Sequence, residues 1–126
     1  MVTWILWALI LAMLAWMDFN YLRIRRAAKI VDNKEFEALI RTGQLIDLRD
    51  PAEFHRKHIL GARNIPSSQL KTSLAALRKD KPVLLYENQR AQRVTNAALY
   101  LKKQGFSEIY ILSYGLDSWK GKVKTS

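Results

Sequence analysis

Cysteine is absent from this chain of 126 residues. It therefore has no means of building a disulfide, a thiolate metal site or a thiol nucleophile of its own. Acidic residues are scarce: 11 Asp and Glu stand against 21 Lys and Arg, a formal charge of +10. That surplus points to an anionic neighbour, whether nucleic acid, lipid headgroups or an acidic protein. No aromatic-rich basic strand and no basic recognition helix is present, so nucleic acid is not expected as a partner. Internal repeats and low-complexity linkers are missing too, and the length suits one domain with an appendage.

Charge is missing altogether from residues 1–17. Val2, Trp4, Ile5, Leu6, Trp7, Leu9 and Ile10 begin a stretch that is apolar on every face. A domain this small has nowhere to bury such a helix. Continued through Phe19, Tyr21 and Leu22, it reaches about 30 Å, the thickness of a bilayer core. Trp4, Trp16 and Tyr21 are placed as interfacial belts. A signal peptide would carry positive charge before the run and small residues at a cleavage site. Here no Lys or Arg precedes it, and Ala15-Trp16-Met17 is a poor site. Residues 1–22 are read as a single transmembrane anchor, without the G-x-x-x-G spacing of a helix-pairing motif.

Arg23, Arg25, Arg26 and Lys29 follow at once, making residues 23–29 a basic juxtamembrane segment. The positive-inside rule puts the amino terminus outside the cell membrane and the rest in the cytoplasm. The same four cations are expected to pair with anionic lipid.

Residues 30–120 alternate short apolar strands with helical patterns. Ile30-Val31 is extended. Asp32-Asn33-Lys34-Glu35 has capping-box spacing ahead of a helix with Phe36, Leu39 and Ile40 on one face, ended by Gly43. Residues 44–48 form a strand, and Asp50-Pro51-Ala52-Glu53 opens another helix with a cap and a first-position proline. Ser67 or Ser68 is expected to cap a helix carrying Leu70, Leu74 and Leu77. Ile109 to Leu112 is a last strand and residues 115–119 a last short helix. Residues 121–126 are a solvated basic tail. The pattern predicts an α/β domain on a mainly parallel sheet flanked by helices.

Val83-Leu84-Leu85-Tyr86 reads as a buried strand, and Val94, Ala97, Ala98 and Leu101 line a long helix after it. The polar stretch between them, Glu87, Asn88, Gln89, Arg90, Ala91, Gln92 and then Arg93, is a strand-to-helix loop. In a parallel sheet such loops sit where ligands collect. The N–H groups opening the helix favour an anion.

Ile46-Asp47-Leu48-Arg49-Asp50-Pro51-Ala52-Glu53-Phe54, followed by His58-Ile59-Leu60-Gly61-Ala62-Arg63-Asn64-Ile65-Pro66, resembles the first signature of rhodanese-like domains. Tyr114-Gly115-Leu116-Asp117-Ser118-Trp119 resembles the family's closing G-G-x-x-x-W. The resemblance covers the whole of residues 30–120 and implies the rhodanese fold. In active relatives a nucleophilic cysteine follows the strand that matches Val83-Leu84-Leu85-Tyr86 and carries sulfur as a persulfide. The resemblance puts Glu87 at that position, Arg90 at a loop glycine and Gln92 at a loop arginine. Lys57, Leu60 and Tyr114 are further departures.

A carboxylate has no sulfur with which to form a persulfide. The expectation is a rhodanese-like domain without enzymatic activity, acting as a protein-binding or regulatory module at the membrane, with no cofactor and an unknown protein partner. The degenerate loop is its binding face, supported by Asp47, Arg49, His58 and Tyr114. Glu87 is expected to fold over the loop's N–H groups, held there with Arg90 or Arg93, as a plug. The alternative is an enzyme: a sulfur-handling role with a partner's cysteine, or anion processing by Glu87. The spacing of His58, Asp47 and Glu87 matches no metal motif, and His55 is expected on an exposed helix face.

Overall fold

The computed structural model describes residues 2–89 and 92–125, with the side chains of residues 21 and 23–27 outside that description. The first helix, α1 (Val2–Ala27), is longer than the expected anchor. No Gly or Pro interrupts residues 23–27, and Arg, Ile and Ala all sustain a helix. The basic juxtamembrane segment is therefore the last turns of the same rod, and Lys29 already opens β1 (Lys29–Val31). Within α1, Val2–Asn20 is long and apolar enough to cross a membrane, and none of it is buried. The belt position of Tyr21 and the lipid contacts of Arg23, Arg25 and Arg26 fall on side chains outside the described residues.

The remaining elements are α2 (Asn33–Ile40), β2 (Gln44–Asp47), α3 (Pro51–Arg56), β3 (Lys57–Ile59), β4 (Arg63–Asn64), β5 (Val83–Tyr86), α4 (Gln92–Lys103), β6 (Ile109–Leu112) and β7 (Val123–Thr125). The main sheet has the order β1-β6-β5-β2-β4, with every pairing parallel. β5 lies at its centre and all four of its residues are buried. Successive side chains of a strand point to opposite faces. Val83 and Leu85 accordingly join the core under α4, with Val94, Ala98 and Leu101. Leu84 and Tyr86 join the core on the other face, with Phe36 of α2, Ile59 and Leu116. A helix on each face of a parallel sheet is the layering that the alternation of elements predicted.

Local signals differ in how far they held. Asp32 caps α2 as its spacing implies, accepting the Glu35 N–H at 2.9 Å. Asp50 takes the cap position of α3, but its side chain bonds no backbone N–H. The expected helix after Pro66 is two 3-10 turns, Ser67–Gln69 and Leu74–Ala76. Leu70 and Leu77 are still buried. The Thr72 hydroxyl donates to the Gln69 carbonyl at 2.9 Å, a local bond that competes with a helical ladder. The last short helix is also a 3-10 turn, Leu116–Ser118.

Two strands have no counterpart in the sequence reading. β3 pairs antiparallel with β7, setting His58 opposite Lys124. The tail is thus a strand, although Lys120, Lys122 and Lys124 stay exposed. Its partner β3 sits beside the loop end of the sheet, because the Lys57 carbonyl accepts from Arg49 there.

Leu101 is fully buried between α4 and the sheet. Leu101→Ala should cost about 2–5 kcal/mol, read as a lowered unfolding midpoint in urea.

Candidate functional site

β5 ends at Tyr86, and the chain turns through Glu87, Asn88 and Gln89 before α4 begins at Gln92. Arg90 and Ala91 lie outside the described residues, so the roles expected of them there have no structural account. Glu87 is buried, with 8% of its surface exposed. Its Oε2 accepts the backbone N–H of Val94 at 2.9 Å. That N–H belongs to the first turn of α4, where backbone donors have no partner within the helix. The carboxylate is also at the end of the helix that favours negative charge. The expected folding of Glu87 back onto backbone N–H groups is therefore seen at one defined donor.

Burial pushes the Glu87 carboxyl above its ordinary pKa. The Val94 N–H and the Arg93 charge pull it back down, while Glu53 and Asp47 add to the upward push. Glu87 is held by one strong donor in a place that partly resents its charge.

Beneath the loop, Asp47 and Arg49 leave the carboxyl end of β2 and are both buried. The Arg49 guanidinium grips Asp47 with Nε donating to both oxygens at 3.1 Å and Nη2 donating to Oδ2 at 2.8 Å. Nη1 donates to Asn88 Oδ1 at 3.0 Å, and Nη2 also donates to the Lys57 carbonyl. One side chain thus ties β2, β3 and the loop together. Burial works against the Arg49 charge, but the bonds and charge of Asp47 outweigh it, so its pKa lies above the ordinary value. Asp47 is engaged by this fork, so it does not form a free pair of carboxylates with Glu87.

Asn88 is held from a second side, donating Nδ2 to Glu53 Oε2 at 2.8 Å. Glu53, the acid near the start of α3 and part of the Ile46-to-Phe54 signature, is joined to the loop only by the fold. The Tyr86 hydroxyl accepts the Ile59 N–H at 3.1 Å, and burial raises its pKa, with Asp47 adding to the effect. Strand reading sees Tyr86 as core only, since nothing in its sequence neighbours names a hydroxyl partner.

The closing segment locks the loop's backbone. Leu116 N–H donates to the Glu87 carbonyl at 2.8 Å and Asp117 N–H to the Asn88 carbonyl at 3.0 Å. Gly115 makes this approach possible: its φ is +69° and a Cβ there would lie 2.4 Å from the Asn88 oxygen. Only glycine tolerates both conditions. Tyr114, beside it, is 71% exposed and stands at the rim with Gln89 and Asp117 rather than filling the loop.

His58 stacks on Phe54, with ring centroids 3.8 Å apart, and its Nδ1 lies 2.7 Å from the Phe54 carbonyl. It braces the α3–β3 corner and is not part of the loop. His55 is exposed. Among the described residues no three His, Asp or Glu side chains gather to hold a metal ion. A cleft of about 330 Å³ opens beside Asn88, lined by Arg49, Glu53, Arg56, Lys57 and Asp117.

Comparison with known proteins agrees with this geometry. Residues 32–122 match the rhodanese-like domain family. The uncharacterized protein YqhL of Bacillus subtilis is 47% identical over 113 residues, covering 90% of this chain and 89% of its own. The thiosulfate sulfurtransferase GlpE of Stutzerimonas stutzeri is 37% identical over 78 residues, covering 60% of this chain and 69% of its own. The crystal structure of a rhodanese-related protein from Thermoplasma volcanium superposes with a TM-score of 0.70 at 23% identity, covering 78% of this chain and 99% of that one. The chain belongs to the rhodanese-like domain family, and sulfurtransferases are among its homologues.

Replacing Arg49 by Met would strand the Asp47 charge in the core. Arg49→Met should destabilise by about 3–5 kcal/mol, measured by denaturant unfolding. Glu87 has the opposite sign. A carboxyl raised in the folded state contributes stability below its unfolded pKa and loses it as pH climbs through the folded value. Glu87→Gln keeps an acceptor for Val94 without the charge. It should be more stable than the parent at neutral pH, and the difference should vanish in mild acid.

Proposed function

We propose that this rhodanese-like domain acts without catalysis, as a protein-binding or regulatory module held at the cytoplasmic face of the membrane by α1. The observation that carries it is the Glu87 carboxylate seated on the Val94 N–H. Where the family resemblance calls for a sulfur nucleophile, the chain offers an acid that forms no persulfide. The same acid occupies a donor that would otherwise meet an incoming anion. Beside it Asn88 is held through Arg49 and Glu53, and the Glu87 and Asn88 carbonyls through the turn at Gly115. A loop start held in this way, with Glu87 already seated on a backbone donor, suits recognition of a surface. Gln89, Gln92, Arg93 and Tyr114 are exposed for it. Arg93 favours an acidic group on the partner.

The tether is supported by the length and bareness of Val2–Asn20. The basic residues that follow it support a cytoplasmic domain. A second reading, sulfur handling with a partner's cysteine or anion processing by Glu87, draws support from the sulfurtransferase relatives and the raised Glu87 carboxyl.

The two separate in one assay. The full chain in detergent, given thiosulfate and cyanide, should release no thiocyanate. Turnover that disappears in Glu87→Ala would overturn the non-catalytic reading. Glu87→Cys should gain thiocyanate formation if the loop still presents its N–H groups around that position.

A further inference from the structure

The joint between α1 and the sheet determines which end of the domain lies beside the anchor. Only Ala28 separates α1 from β1, and it is buried with Leu101, Phe106 and Ile109. A joint of one buried residue leaves no flexible linker, so tilt of helix and domain together sets how closely the domain's amino end lies against the headgroups. α1 touches the domain at α4 and β1, and its apolar span is bare. It therefore delivers the chain to the amino end of β1. Because the sheet is parallel, the amino ends of its strands lie together: Lys29 pairs with Tyr110, Val83 with Ile109 and Gln44 with Val83. The loop of Glu87 and Asn88 stands at the opposite, carboxyl end.

The amino end is basic. Lys29, Arg41, Lys79, Lys81, Lys102 and Lys103 are exposed in the segments that lead into the strands or out of α4. Those segments are tied into one surface. Gln44 Nε2 donates to the Arg78 carbonyl at 2.7 Å, Val83 N–H to the Glu108 carbonyl at 2.8 Å, and Lys79 Nζ lies 6.0 Å from the Phe106 ring centroid. Asp80 is paired with Arg78 at 2.5 Å. Glu108 is then the acid left to offset those six cations within these segments. The cleft at the other end mixes signs, with Glu53 and Asp117 among Arg49, Arg56 and Lys57.

We propose that the amino end of the sheet is a lipid-docking face, lying on the anionic headgroups of the leaflet from which α1 emerges and turning the Glu87 loop away from the bilayer. This rests on the membrane tether proposed above. Residues 21–27 carry the helix roughly 10 Å past its apolar span. A surface that close is about one Debye length from the headgroups, where lysines and arginines are attracted to anionic lipid. The face commits to lipid because the helix entering beside it is the apolar one. It also implies that the loop's partner approaches from the aqueous side.

The absence of cysteine makes single-cysteine labelling clean. Ser107 is exposed at the amino end and Gln89 at the loop end. Full-length Ser107→Cys and Gln89→Cys proteins would carry a fluorophore in nanodiscs whose headgroups bear a quencher. In phosphatidylcholine with phosphatidylglycerol, the Ser107 label should be quenched several-fold more than in phosphatidylcholine alone, and the Gln89 label in neither. Lys102→Glu combined with Lys103→Glu should remove that gain. Equal quenching in both discs, or stronger quenching at Gln89, would overturn the face. Release of the Ser107 label by inorganic phosphate or RNA, at matched ionic strength, would reassign the surface to a soluble anion or a nucleic acid and overturn it too. Flotation with vesicles through an alkaline wash reads the tether separately. A chain that fails to float overturns tether and face together, whereas one that floats with Ser107 unquenched overturns the face alone.

Discussion

The Arg49 guanidinium is the constraint on which the site depends. It reaches the buried carboxylate at the end of β2, a carbonyl on β3 and the side chain of Asn88. A planar fork with five donors can grip the carboxylate at two points while reaching two more partners, a geometry that a lysine ammonium does not offer. The pair is buried, so its net contribution to stability is small; what it supplies is position. Asn88 is held by Arg49 and Glu53 together, and the loop backbone is clamped from the other side by the turn around Gly115. Glu87 and Asn88 are therefore fixed in place by contacts from three other segments of the chain.

Within that arrangement Glu87 answers a local need and creates a cost. α4 opens with unpaired N–H groups, and Glu87 accepts one of them. Burial opposes its charge, as do Glu53 and Asp47. The carboxylate fills one of the donor positions at the start of α4 with its own oxygen. The rhodanese-like fold is thus kept with a buried carboxylate, seated on the Val94 N–H, directly after its central strand.

The two ends of the sheet divide the labour. One receives the apolar helix through a buried joint and gathers uncompensated lysines and arginines. The other carries the clamped loop and a cleft of mixed charge. Parallel strands make the division possible, because in the main sheet the strand starts lie on one side and the strand ends on the other.

Much of this was legible in the residues. The order of strands and helices, the burial of Val83-Leu84-Leu85-Tyr86, the cap at Asp32 and the place of Glu87 at the head of the loop follow from periodicity and short-range chemistry. So does the apolar helix Val2–Asn20. Glu53 and Tyr86 escaped because their partners, Asn88 and Ile59, are distant in sequence and nothing in their own neighbours names them. The helix expected after Pro66 failed because Thr72 and its turn offered the backbone a local alternative. The β3–β7 pair escaped because strands of three residues leave no periodic trace. The sequence by itself determined which atoms the chain can use: no sulfur at the loop, a carboxylate in its place, a surplus of cations. Folding alone brought Glu53 and Asp47 close to that carboxylate and gathered those cations at one end of the sheet, since both depend on contacts between segments that the linear order keeps apart.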